Sequence, residues 1–210
     1  VKTVRWMLQL EHDLSGFFEL ARCCARLAHV EPAAKGRILR SPTVFEDVVK
    51  TILTTNVQWS GTIRMVEGLV TAFGARLHAQ AGPSAFPTPQ RLATLDEEAL
   101  RATGLGYRAP YVLELSRSVA SGALDLEALK SADGSTGELR QELLSIKGVG
   151  DYAAANLLIL LGRYDYVPVD SWARTMVSRE WHGGEKVGSA EVQEAFAEWG
   201  AWKGLAYWFW

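Results

Sequence analysis

Two stretches of the sequence carry residue types and spacings that could do chemistry. The first is Lys147-Gly148-Val149-Gly150, set between the helical pattern LRQELLSI and an unusually apolar AAANLLILL. Two glycines bracketing one valine permit a tight turn, with positive φ or close backbone approach at either glycine. Such a turn leaves the first amides of the next helix pointing outward. Those donors, with the helix dipole, suit a phosphate oxygen. Val149 is expected to pack into the helix pair. A glycine-bearing helix corner with no ligand would show the same pattern. In the second stretch, Tyr164-Asp165-Tyr166-Val167-Pro168-Val169-Asp170 leads into SWARTMVSREW, which stops at Gly183-Gly184. Asp170 stands where an N-cap belongs, a role that by itself contributes about 1 kcal/mol. The chain also has eight tryptophans, and Trp199, Trp202, Trp208 and Trp210 crowd into its end, either as core or as a stacking surface.

The elements that must position these residues are helices. Apolar residues recur mostly at three- and four-residue spacing, and few segments alternate. Residues 8–29 place Leu10, Leu14, Phe17, Phe18, Ala21 and Ala25 on one helical face. Thr43 and Glu46 form a capping-box pattern before the i,i+4 rows Val44, Val48, Ile52 and Phe45, Val49, Leu53. A helix over 60–73 stops at Gly74, and the loop AGPSAFPTPQ follows. Thr94 and Glu97 are expected to cap a short helix ending near Gly104. Another runs over 108–121 to Gly122, and Ser135 with Glu138 repeats the capping box before the helix carrying Leu139, Leu143 and Ile146. The helix after the turn runs to Gly162. No tandem repeat or low-complexity tract interrupts the pattern, so the expected class is all-α.

Composition bounds the partners. With 48% hydrophobic and 22% charged residues over 210 positions, the chain is globular rather than disordered. No apolar run approaches the length of a membrane span, and no signal-peptide pattern is visible. The two cysteines are the adjacent Cys23 and Cys24, which cannot clip a fold or complete a zinc or iron–sulfur site. A reducing, cytoplasmic setting without membrane contact is expected. No carboxylates or histidines cluster at ligand spacing, so no metal site and no metal-dependent nuclease is expected. The net charge of −2 gives no general support for binding nucleic acid, so any such binding must rest on a local site.

The ordered set LLSIKGVGDYAAANLLILL followed by VPVD resembles the helix-hairpin-helix and Gly/Pro-loop-Asp signature of the HhH-GPD DNA glycosylase superfamily. SPTVFEDVVKTILTTNVQWSGTIRMVEGLVTAFG, the GLGYRA-bearing block and the terminal WKGLAYWFW are similar to segments of the 8-oxoguanine and 3-methyladenine II branches, in the right order over 41–210. The resemblance implies a two-lobed helical fold with the hairpin at the interlobe cleft. One lobe would be 43–134, and the other 1–42 plus 135–210, carrying the hairpin at 139–162. It also implies binding to duplex DNA and excision of a flipped, damaged base, with a monomer as the default expectation.

Residue by residue, Asp170 matches the family's catalytic aspartate, which stabilises the oxocarbenium and orients or deprotonates the attacking water. Lys147, Gly148, Val149 and Gly150 would meet phosphate, with Arg174 a further backbone contact. No cofactor is implied beyond a monovalent cation that relatives often hold on hairpin carbonyls. Asn56 matches the segment near the estranged base, where it would fill the hole left by flipping. Trp172, where many relatives have His, and Trp202 would line the base pocket. Bifunctional relatives carry a lysine two residues after the second hairpin glycine, and here that position is Tyr152. The expected activity is therefore a monofunctional glycosylase, with alkylated purines favoured over 8-oxoguanine. A non-catalytic damage-binding module and a bifunctional lyase are the alternatives.

Overall fold

The computed structural model describes residues 1–76 and 82–210, so Ala81 of the expected loop AGPSAFPTPQ lies outside the described residues. Twelve α-helices follow one another among them: α1 (Lys2–Met7), α2 (Ser15–Cys23), α3 (Val44–Leu53), α4 (Trp59–Phe73), α5 (Pro89–Ala93), α6 (Glu97–Leu100), α7 (Ala109–Ala120), α8 (Thr136–Ser145), α9 (Asp151–Leu160), α10 (Ser171–Trp181), α11 (Ser189–Ala195) and α12 (Lys203–Phe209). The described residues contain no strand beyond an isolated bridge between Arg76 and Ser84. No helix among them is long and apolar enough to cross a membrane. The chain forms two compact units. Unit 1 is Val1–Pro42, Gly134–Leu144 and Gly150–Trp210, and unit 2 is Thr43–Asp133 and Ser145–Val149.

Unit 2 is built on α3, whose two i,i+4 rows are wholly buried. Thr43 Oγ1 accepts the Glu46 amide at 3.2 Å. The Glu46 carboxylate turns instead to Lys50 Nζ at 2.5 Å, so only half of the expected box forms. The helix expected between Thr94 and Gly104 starts differently. Asp96 is its cap, accepting the Ala99 amide at 2.8 Å, while Thr94 Oγ1 donates back to the Arg91 carbonyl and closes α5. Thr94 keeps the helical backbone of the α5 C-cap (φ −79°, ψ −7°), whereas an N-cap is extended. Beyond α6 the chain continues through a π-turn (Arg101–Leu105) and a 3-10 turn (Gly106–Arg108) into α7.

Unit 1 departs from expectation at its start. The single helix expected over 8–29 is absent, because Gln9 takes a positive φ of 51° and Asp13 Oδ1 accepts the Ser15 amide at 2.9 Å, beginning α2 afresh. Leu14, Phe17 and Ala21 do face the core, but Leu10 and Ala25 are exposed. Leu27 and Val30, in the turns after α2, are buried in their place. Phe17 is fully buried against the other end of the chain, with ring centroids 6.2 Å from Trp199, 6.1 Å from Trp202 and 6.3 Å from Phe209. The all-round apolar character of α9 has a simple cause. Ala153, Ala154, Ala155, Leu157, Leu158 and Ile159 are all buried, so this helix has little solvent face to make polar.

Two buried tyrosines in this unit, Tyr164 and Tyr207, have their phenol pKa pushed up, in each case chiefly by burial. The folded state therefore keeps protons that the unfolded chain releases above about pH 10. Their contribution to stability is complete below that pH and declines as pH rises through it. The thermal midpoint should fall steeply above about pH 10, and Tyr164→Phe should flatten that fall in a melt series.

Candidate functional site

The hairpin begins with a complete capping box. Glu138 Oε2 accepts the Ser135 amide at 2.8 Å, and Ser135 Oγ accepts the Glu138 amide at 3.2 Å. α8 then ends in a turn closed by the Val149 amide on the Ile146 carbonyl at 3.0 Å. Gly148 sits at φ +90°, and a Cβ there would lie 2.8 Å from the Tyr111 ring, so both conformation and space demand glycine. Gly150 is different. It is the extended N-cap of α9 (φ −98°), it has open space around it, and its carbonyl accepts the Ala154 amide at 2.8 Å. The amides of Asp151 and Ala153 precede that first helical bond, among the donors that a helix start does not use within the helix. Val149 is buried, as expected. Lys147 is ion-paired to Glu114 at 2.7 Å, and that bond raises its pKa. Asp151 is paired with Arg140.

Asp170 caps α10. Its Oδ1 accepts the Ala173 amide at 2.7 Å and lies 3.4 Å from the Tyr207 hydroxyl. Oδ2 has no partner among the described residues, and the side chain is half-buried. The loop before Asp170 lacks regular structure and is held by two clamps. The Gln193 amide accepts the Val167 N–H at 3.1 Å and donates to its carbonyl at 2.7 Å. The Gly204 amide at the start of α12 donates to the Tyr164 carbonyl at 2.6 Å. A Cβ at Gly204 would collide with the Tyr166 and Tyr164 carbonyls, so this contact needs glycine.

Trp172 is 55% exposed, with its ring centroid 5.8 Å from that of Tyr207. Trp202 is less available than expected for a pocket wall. It is half-buried against the core, stacked on Tyr164 at 5.6 Å and backed by Phe17. Trp199 is core, whereas Trp208 is exposed. The guanidinium of Arg174 donates to Ser189 Oγ at 3.1 Å. In unit 2, Asn56 adopts a positive φ of 49° after α3, and its Nδ2 donates to the Tyr107 hydroxyl at 3.4 Å. That bond lowers the Tyr107 pKa. Arg108, buried, donates to the Thr55 carbonyl of the same turn.

Unit 1 thus brings Asp170, Trp172 and Tyr207 together, and unit 2 holds Asn56 with Tyr107. Among the described residues no group of histidine, cysteine or carboxylate side chains could hold a metal ion. Tyr207 and Gln193 had not been singled out. A signal for Tyr207 existed: it is the one hydroxyl in WKGLAYWFW, and a buried phenol requires a partner. Gln193 carried none, since a surface-patterned glutamine looks alike whether or not it clamps a loop.

The chain is similar to proteins of known activity. It is 30% identical over 186 residues to an N-glycosylase/DNA lyase of Saccharomyces cerevisiae, covering 82% of this chain and 49% of that one. It is 29% identical over 111 residues to DNA-3-methyladenine glycosylase 2 of Escherichia coli, covering 52% and 38% respectively. The chain therefore spans about half the length of these curated relatives, or less. Among solved structures, MBOgg1 in complex with a low-affinity DNA ligand matches with a TM-score of 0.82 and 27% identity, over 98% of this chain and 71% of that one. Residues 49–201 match the model of the HhH-GPD superfamily base excision DNA repair proteins, and the chain belongs to that superfamily.

Proposed function

We propose that the protein is a monomeric DNA glycosylase that hydrolyses the N-glycosidic bond of a flipped, damaged purine in duplex DNA and leaves an abasic site. The observation that carries this reading is the carboxylate of Asp170, fixed through one oxygen with the other unpartnered. As the C1′–N bond breaks, its electron pair leaves with the base and positive charge builds on the sugar. A fixed carboxylate stabilises that charge. Water then adds its oxygen to C1′ and gives a proton to Asp170, which passes a proton through solvent to the departing base and is restored as a carboxylate.

Phosphate would be met by Gly148, Gly150 and the first amides of α9, a grip that needs little net charge. Lys147 would join it by exchanging Glu114 for phosphate, and Arg174 would be a further backbone contact. A monovalent cation on the turn carbonyls would serve only to seat the phosphate. Asn56 would face the orphaned base, and Trp172 would stack on the extruded one, with Trp202 behind the pocket rather than at its surface.

Tyr152 stands where bifunctional relatives carry their lysine, so that position offers no amine to form a Schiff base. This supports a monofunctional enzyme and an alkylated purine as the lesion, in keeping with the name of the E. coli relative. The word lyase in the name of the yeast relative favours the second reading, a bifunctional enzyme. Single-turnover assays on duplexes containing hypoxanthine, an alkylpurine or 8-oxoguanine, scored before and after hot alkali, separate the two. Strand scission only after alkali is expected, with no borohydride-trapped adduct. Scission without alkali, or a trapped adduct, overturns the monofunctional reading.

A further inference from the structure

We infer that Tyr207 is the positioning residue of Asp170, its hydroxyl tethering Oδ1 so that Oδ2 is the oxygen turned to the sugar and water; this rests on the reading of Asp170 above. The Asp170 carboxylate is the one hydrogen-bond partner of the Tyr207 hydroxyl among the described residues, at 3.4 Å. That separation is long for an O–H···O bond, and contacts of this kind commonly tighten once substrate excludes water.

The ring has little freedom to point elsewhere. It is 8% exposed, lies edge-on to Phe196 at 5.7 Å and is covered by Trp172 at 5.8 Å. Its helix is tied to the Asp170 loop through Gly204 and Tyr164, so donor and acceptor are held by one local assembly. Burial, then the charge of Asp170, push the phenol pKa up, and Tyr152 adds to this, so the hydroxyl keeps its proton and remains a donor. Together the Ala173 amide and the Tyr207 hydroxyl place two donors on Oδ1, which fixes the plane of the carboxylate. An aspartate held by its cap alone could still rotate Oδ1 and Oδ2 relative to the reacting sugar.

The test is Tyr207→Phe, which keeps the ring and removes the donor. Single-turnover excision is measured across the pH range on the most rapidly processed lesion duplex, with affinity measured on an uncleavable duplex. The rate near neutral pH should fall by about ten-fold, the loss of a hydrogen bond to a charged group. Affinity for the uncleavable duplex should be unchanged. Tyr207→His, which restores a ring donor, should recover part of the rate and should also be scored if the Phe variant folds poorly. A Phe variant with the wild-type rate, beside an inactive Asp170→Asn, overturns this inference alone. A lower rate in Tyr207→Phe that Tyr207→His does not recover also overturns it, because packing then explains the loss. Activity retained in Asp170→Asn overturns the reading beneath it.

Discussion

Asp170→Asn should abolish base excision, lowering the single-turnover rate by about a thousand-fold, within the range general base and electrostatic assistance provide. The fold should survive. Asn caps helices about as well as Asp, so its side-chain oxygen can still take the Ala173 amide, and α10 keeps its start. What is lost is the negative charge opposite the sugar and the site that receives the proton of water. Excision assays should therefore be paired with a thermal melt and with binding to an uncleavable duplex. A melting temperature and affinity close to wild type, with excision gone, would assign the loss to chemistry. A variant that still excises would transfer the role to another group and leave Asp170 as a cap.

The second large effect belongs to Gly148. Gly148→Ala forces an L residue to φ +90° and drives its Cβ to within 2.8 Å of Tyr111. The conformational cost alone is about 1–2 kcal/mol, and displacing the ring adds to it. The melting temperature should fall, and affinity for duplex DNA should drop by about ten-fold or more as the α9 amides lose their aim. Gly150→Ala is the internal control. That position is extended and open, so the same substitution two residues later should leave the melt nearly unchanged. Equal losses from both variants would mean that turn geometry is not what the hairpin contributes.

That contrast shows where the sequence was informative and where it fell silent. The spacing of the two glycines announced a turn, and helical periodicity announced most of the elements around it. Periodicity does not reveal which glycine is under constraint, because the crowding comes from Tyr111 on another helix. The same limit appears at 8–29. Leu14, Phe17 and Ala21 do share a face, but the break at Gln9 and the restart from Asp13 arise from local backbone bonds that apolar spacing cannot register. Asp170 was legible because a cap and a resemblance converge on one residue. Tyr207 escaped notice among tryptophans, although its hydroxyl was the polar group that most needed a destination. The aromatic tail could not be sorted from spacing alone, since Trp199 and Trp208 differ in burial only through their distant partners.

Phe17 finds its aromatic neighbours at Trp199, Trp202 and Phe209, so unit 1 closes on residues far apart in sequence. Emerging from a ribosome, that phenylalanine would remain uncovered until the segment carrying those three rings had been made. Unit 2, whose long segment Thr43–Asp133 is continuous, would have its α3–α7 contacts available far earlier. Bringing together groups so distant along the chain carries a larger loop-closure entropy, which slows folding. The continuous segment of unit 2 would thus assemble before unit 1, to which Asp170 and Tyr207 both belong. The contact between them could form only after α12 had been made, and a chain stopped before α12 would lack it.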